Sequence, residues 1–436
     1  MTTRATVSRM ISGLRRDRPL QIITTSGAVV FSNVTTSGLG FVYWWVAAVL
    51  FAQASVGLAS AGVSAMMLLG ALSGLGLGTL LVTEMPRHPG RELGLIATAL
   101  VITATVGGAL GLVFALIATL LGPELAPLAE SPLSVAGFAF GTSVTAAVLV
   151  MDVALVGLMR GDLQLMRNAT FALLKLGLLI SVGLVVGRGT GNMIVATWVV
   201  GSALSLALLG VYLVRTGLAG PVVPLQPAIL RRLRGPALRH YALNVSLQSP
   251  DWIVPILVTA LLASGTGAAF FIAWMIVGVA FAVPGALAQT LYSVGARNGD
   301  ALRPSLLLTL RLSFLAGAGI VLALFLLGPF ALGLLDRGYQ AAAPALVILS
   351  LGIFPMVIKV HYVTLGRLSG RITQTTVVCL AAGMIEIGLA AVGAVVAGLT
   401  GVAVGILLGL VIQATIMVPR VRHALRGDGE SNGGLR

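Results

Sequence analysis

Ionisable side chains are scarce in this sequence, and several fall inside apolar runs where each costs roughly 2.5–3.5 kcal/mol near a bilayer centre, so they are the first candidates for chemistry. Asp152 and Lys175 are equidistant from a loop centred near residue 163.5, which predicts equal depth on antiparallel helices and an ion pair. That pair either locks a hairpin or keeps Lys175 in reserve for an anion. Asp251 is bracketed by Pro250 and Pro255, whose missing N–H groups free backbone carbonyls. It lies ten residues into its span, about 15 Å deep at roughly 1.5 Å per residue. Glu386, twelve residues into a later span, is a second carboxylate suited to carrying a proton or a sodium ion, and Asp152 is a third. Each of these acids also has a bland reading as a structural group bonded to a neighbouring helix.

Arg311, Lys359 and His361 stand in the inner halves of their spans, where long basic side chains can snorkel to the interface. With Lys175 they could instead form a cationic entrance, since Arg matches phosphate oxygens in bidentate geometry. Asn33 sits near the middle of a hydroxyl-rich first span, where it could bond ligand hydroxyls or help the helix bend. Gly74, Gly76 and Gly78 are expected inside a span, a context that excludes a nucleotide-binding loop. Tyr43, Trp44 and Trp45 read as an interfacial belt. No catalytic constellation is visible. The single cysteine, Cys379, leaves no room for a disulfide framework or a thiolate metal cluster.

The elements that must position these groups are membrane spans. Hydrophobic residues make up 58% of the 436-residue chain and charged residues only 9%, with a mean hydropathy of +1.04, outside the range of ordinary soluble domains. No long hydrophilic segment remains for a soluble catalytic domain, so an enzyme is not expected. The net charge of +14 follows loop position rather than nucleic-acid binding, and membrane lipid is the partner it implies.

Apolar runs predict twelve spans in an all-α membrane protein, near 21–50, 56–82, 93–121, 132–158, 169–187, 192–214, 241–262, 267–293, 305–327, 341–362, 374–397 and 400–418. The positive-inside rule agrees with that count. Arg87, Arg91, Arg160, Arg167, Arg297, Arg303, Arg367, Arg371, Arg420, Arg422 and Arg426 fall in loops or tails on one side, whereas the other side carries Arg188 and Arg337. Both termini are therefore predicted cytoplasmic. The expected organisation is a basic segment 1–19, a six-span N-lobe 20–214, an Arg/Pro-rich cytoplasmic linker 215–240, a six-span C-lobe 241–418 and a tail 419–436. Two lobes of equal orientation imply a parallel pseudo-repeat.

Two patches resemble a known family. Phe31 to Arg87, with Tyr43, Trp44, Gln53, Val56 to Ala59 and the Leu75 to Gly78 turn, looks like the opening hairpin of bacterial polysaccharide-export flippases of the multidrug/oligosaccharidyl-lipid/polysaccharide (MOP) superfamily. Met151 to Leu179 resembles the fourth and fifth spans of the same family. The resemblance implies a multi-pass protein of the bacterial cytoplasmic membrane that moves a lipid-diphosphate-linked oligosaccharide or polysaccharide precursor by alternating access. Under it, Lys175, Arg311, Lys359 and Asn33 are the substrate-binding candidates, and Asp251, Glu386 and Asp152 are the coupling or cavity candidates. It implies no cofactor or metal beyond a coupling proton or sodium ion, and it points to a polysaccharide polymerase and glycosyltransferases as partners. The alternatives are a cation-coupled multidrug exporter of the same superfamily and, from a different class, a polyprenol-dependent membrane glycosyltransferase or ligase.

Overall fold

The computed structural model describes residues 38–186, 189–216, 235–297 and 301–426. All regular structure among them is helical, and the chain divides into two compact units, Met1–Val245 and Ser246–Arg436. In the first unit the helices are α1 (Gly38–Leu50), α2 (Gln53–Ser73), α3 (Leu77–Glu84), α4 (Glu92–Leu121), α5 (Pro132–Gly157), α6 (Gly161–Val186) and α7 (Gly191–Arg215). Helix α8 (Pro236–Leu261) crosses the boundary. The second unit continues with α9 (Ser264–Arg297), α10 (Leu302–Gly333), the short α11 (Arg337–Gln340), α12 (Ala343–Ser350), α13 (Ile353–Leu368) and α14 (Ile372–Arg426).

Large apolar side chains face outward along these helices, including Leu120 of α4 at 84% exposure and Phe330 of α10 at 68%. A hydrocarbon environment makes that pattern favourable, and small and hydroxyl-bearing residues stand among the buried apolar ones where helices approach closely. Between α4 and α5, a Cβ added at Gly111 would sit 2.6 Å from Thr142 Oγ1, and one at Gly107 would sit 2.8 Å from Ala146 Cβ. Hydroxyls on the inward faces bond back to their own helix, as Thr103 does to Ala99 and Thr142 to Phe138, both at 2.9 Å.

Eight helices among the described residues are long and apolar enough to cross a membrane, or nine if α12 and α13 form one bent span. The difference from twelve has identifiable causes. Only Gly38–Leu50 of the first span is described, and α8 carries His240, Asn244, Gln248 and Asp251, which lower its hydropathy. Helix α14 is two helical halves joined at a break, where Ala397 and Gly398 are non-helical, the latter at φ 57°. Its halves fold back on each other: a Cβ on Gly401 would meet Gly393 O, one on Gly405 would meet Leu389 O, and one on Gly409 would meet Glu386 Cα. Those contacts pair positions symmetrically about the break, as in an antiparallel hairpin.

Two expected spans are broken helices. The second is interrupted between α2 and α3, where Leu75 and Gly76 adopt φ 47° and 77°, so the glycine run ends a helix rather than lying within one. The tenth bends by 48° between α12 and α13. Pro355, three residues into α13, has no N–H for Leu351 O, and tighter bonds such as Gly352 N to Leu349 O at 2.9 Å close the turn instead. Asn33 and most of the 215–240 linker lie outside the described residues.

Candidate functional site

The chain has only two lysines, Lys175 and Lys359, and each unit buries one of them. In the first unit, α6 presents Phe171 and Lys175 one turn apart, α1 contributes Tyr43, and α7 contributes Thr197, Trp198 and Gly201. Lys175 is 1% exposed. Its Nζ lies 3.9 Å from the Trp198 ring centroid, 4.6 Å from that of Phe171 and 4.9 Å from that of Tyr43. The rings support each other edge to face, Tyr43 with Trp198 at 5.6 Å and Phe171 with Trp198 at 5.3 Å. Tyr43 is pinned by its hydroxyl, which lies 2.8 Å from Thr197 Oγ1 and donates to Ile194 O at 3.1 Å.

Gly201 makes the cage possible, because a Cβ there would lie 3.0 Å from Lys175 Cβ. A desolvated cation–π contact contributes about 2 kcal/mol, whereas the effective penalty for burying an ion is several kcal/mol. The rings therefore offset only part of the cost of holding a positive charge here, and an approaching anion would gain the remainder. Tyr43 and Trp44, expected at the interface, are instead 0% and 3% exposed inside the unit. The lysine stem and the ring faces of α6 and α7 give them a better apolar surface than headgroups would.

The expected Asp152–Lys175 pair is not formed. Asp152 is held by Arg167, Nε to Oδ1 at 2.9 Å and Nη2 to Oδ2 at 2.7 Å, a two-pronged arrangement matched to the carboxylate. The reason is the position of the turn. Helix α5 ends at Gly157 and α6 begins at Gly161, so the hairpin centres near residue 159 and sets Arg167, not Lys175, opposite Asp152. Arg167, expected in a cytoplasmic loop, has a side chain only 1% exposed, and its Nη1 is buried without a hydrogen-bond partner.

In the second unit a polar cluster joins three helices. Lys359 of α13 points its Nζ at Glu386 Oε2 of α14, 3.8 Å away, and their side chains are 7% and 3% exposed. Gln413, on the returning half of α14, donates its amide to Glu386 Oε2 at 2.7 Å and to Ala382 O at 3.2 Å. Its Oε1 is buried with no partner. Asp251 of α8 lies within electrostatic reach of both Lys359 and Glu386, and it alone of the four has a side chain on the protein surface. Next to this cluster in sequence, His361 is fully buried and its Nδ1 lies 2.7 Å from Val357 O, with Nε2 3.1 Å from Thr309 Oγ1.

Neither Lys359 nor His361 snorkels to an interface. Arg311 is exposed and belongs to neither cluster. It stands two residues after inward-facing Thr309, about 200° around a helix of roughly 3.6 residues per turn. Gln413 and Trp198 were not singled out by sequence, and Arg167 was read only as a loop arginine. An uncharged amide in mid-span is the signal that would have flagged Gln413; Trp198 gives none beyond its aromatic character.

No protein-family model and no curated protein sequence matches the chain. Solved structures do match it in fold. One described as the inward-facing conformation of a multidrug resistance MATE family transporter of the MOP superfamily aligns with a TM-score of 0.65 at 15% identity, covering 91% of this chain and 96% of that one. One described as the outward-facing conformation of a multidrug resistance MATE family transporter aligns at 0.61 and 14%, covering 92% and 96%. A MATE structure in complex with MaL6 aligns at 0.63 and 16%, covering 95% and 98%. The chain thus shares the all-helical fold of these solved structures.

Proposed function

We propose that this protein is a flippase of the bacterial cytoplasmic membrane that moves a lipid-diphosphate-linked oligosaccharide or polysaccharide precursor by alternating access. The observation that carries this reading is Lys175, a buried ammonium supported by rings and by no carboxylate among the described residues. Such a charge favours an anionic ligand and repels a cationic one. In this reading the chain makes twelve passes with both termini cytoplasmic, as the arginine distribution implies, and Lys175 and Asn33 meet the diphosphate and sugar. Lys359 moves from the substrate-binding set to the coupling set with Asp251 and Glu386, because its charge is already engaged. Asp152 becomes the structural partner of Arg167. A polymerase and glycosyltransferases would supply and consume the substrate.

The second reading, a cation-coupled multidrug exporter, is favoured by the likeness of fold to multidrug transporters. Reconstitution separates the two. Vesicles containing the protein should translocate a fluorescent polyprenyl-diphosphate sugar under a proton gradient. Transport no faster than in protein-free vesicles, under either a proton or a sodium gradient, would overturn the flippase. Efflux of a cationic dye in its place would select the exporter.

A further inference from the structure

The second unit's cluster has the composition of a monovalent-cation site with one addition. Glu386 Oε2, the unpartnered Oε1 of Gln413 and the carboxylate of Asp251 are oxygen donors of the kind a hard cation prefers. Lys359 puts a fourth group beside them. At 3.8 Å from Glu386 Oε2 its ammonium is further away than a charge-assisted hydrogen bond of about 2.8 Å, so it is not locked to one oxygen. Nothing else among the described residues forms an ion pair with either carboxylate.

We infer that Lys359 is the resident cation of this cluster, a tethered ammonium filling the role that a dissociable sodium ion would otherwise take, so the wild-type site engages no sodium. Two carboxylates and one ammonium leave one negative charge in excess. It rests on Asp251, the member whose side chain is not enclosed by the protein, and a proton is the ion left to neutralise it. The inference deepens the coupling reading above and depends on transport for its functional meaning, but its test reads ion binding alone.

The titratable and charged groups around the cluster are Asp251, Lys359 and Glu386, with His361 two residues from the lysine and facing Thr309. Cys379 of α14 and Arg367 of α13 also lie within electrostatic reach of one another, and Cys379 within reach of Lys359. Neither replaces the ammonium at Glu386.

The experiment is thermal unfolding of the purified protein in detergent near pH 8.5, where protons compete least, in sodium chloride against choline chloride at equal ionic strength. Wild type should unfold at the same temperature in both salts. Lys359→Met should gain a sodium-dependent rise of roughly 1–2 °C at an ion concentration about ten times its dissociation constant. Lys359→Arg, which keeps the charge, should be as indifferent to sodium as wild type. The double variant Lys359→Met/Glu386→Gln should lose the gained effect. Sodium stabilisation of wild type would overturn the inference, as would a Lys359→Met protein that ignores sodium. If the methionine variant does not fold in choline, Lys359→Gln takes its place, and the wild-type arm decides independently of both.

Discussion

The two lysines solve the same problem in opposite ways. Lys175 is surrounded by the faces of Trp198, Phe171 and Tyr43, whereas Lys359 is set against Glu386, with Gln413 behind and Asp251 in electrostatic reach. Quadrupoles hold a charge weakly and leave it uncancelled; a carboxylate cancels it outright. The difference teaches that burial alone does not assign a role to an intramembrane charge. What surrounds the charge decides whether it is available to a ligand or already spent on the fold.

The largest effect should follow from removing the cancelled charge. Lys359→Met leaves Glu386 buried beside Asp251 with no cation, and losing one partner of a buried pair costs about 3–5 kcal/mol. A drop of that size in stability is expected in sodium-free buffer, measured by denaturant or thermal unfolding. Lys175→Met should show no such drop, because it removes a charge without stranding an opposite one. Equal destabilisation by the two variants would erase the contrast.

Next in size is Gly201→Val, which drives a branched side chain into the stem of Lys175, where even a Cβ lies 3.0 Å away. Overpacking of this kind costs about 1–3 kcal/mol and should displace α7 from the cage, read as lower stability together with slower transport. Tyr43→Phe keeps the ring and removes the hydroxyl bonds to Thr197 and Ile194, for about 1 kcal/mol. Its fluorescence spectrum should report a loosened Trp198. The smallest effect belongs to Arg311→Gln, an exposed position away from both clusters, where a change within about 0.5 kcal/mol is expected. A transport defect there would show that a third cationic group takes part.

Much of the architecture was legible because hydropathy and charge report on the solvent around each segment. The turn at Ala397–Gly398 falls at the end of one apolar run and just before the next, as composition implied. The breaks at Leu75–Gly76 and before Pro355 were not legible, since an apolar run interrupted by a tight turn has the same mean hydropathy as a straight span. The candidate residues were legible only as single groups: Lys175, Lys359, Asp251 and Glu386 stood out because charge is costly in lipid.

Their partners did not stand out. Asp152 was matched with Lys175 on a loop centre four to five residues too far along the chain, and an error in the centre is doubled at the partner, so the match fell about two helical turns beyond Arg167. The cage depends on Gly201 and on edge-to-face rings from three helices, contacts that no local pattern encodes. Gln413 carries no charge and so left no trace against the apolar background.

The most direct test of the contrast is translocation of the fluorescent polyprenyl-diphosphate sugar by reconstituted Lys175→Met beside wild type, with the unfolding temperature of each protein measured in parallel. If Lys175 is the charge left available to the anion, transport should fall at least tenfold, on the order of 1.4 kcal/mol of lost interaction, while the unfolding temperature holds or rises. Wild-type transport by Lys175→Met, or a loss of transport that only tracks a loss of stability, would contradict it.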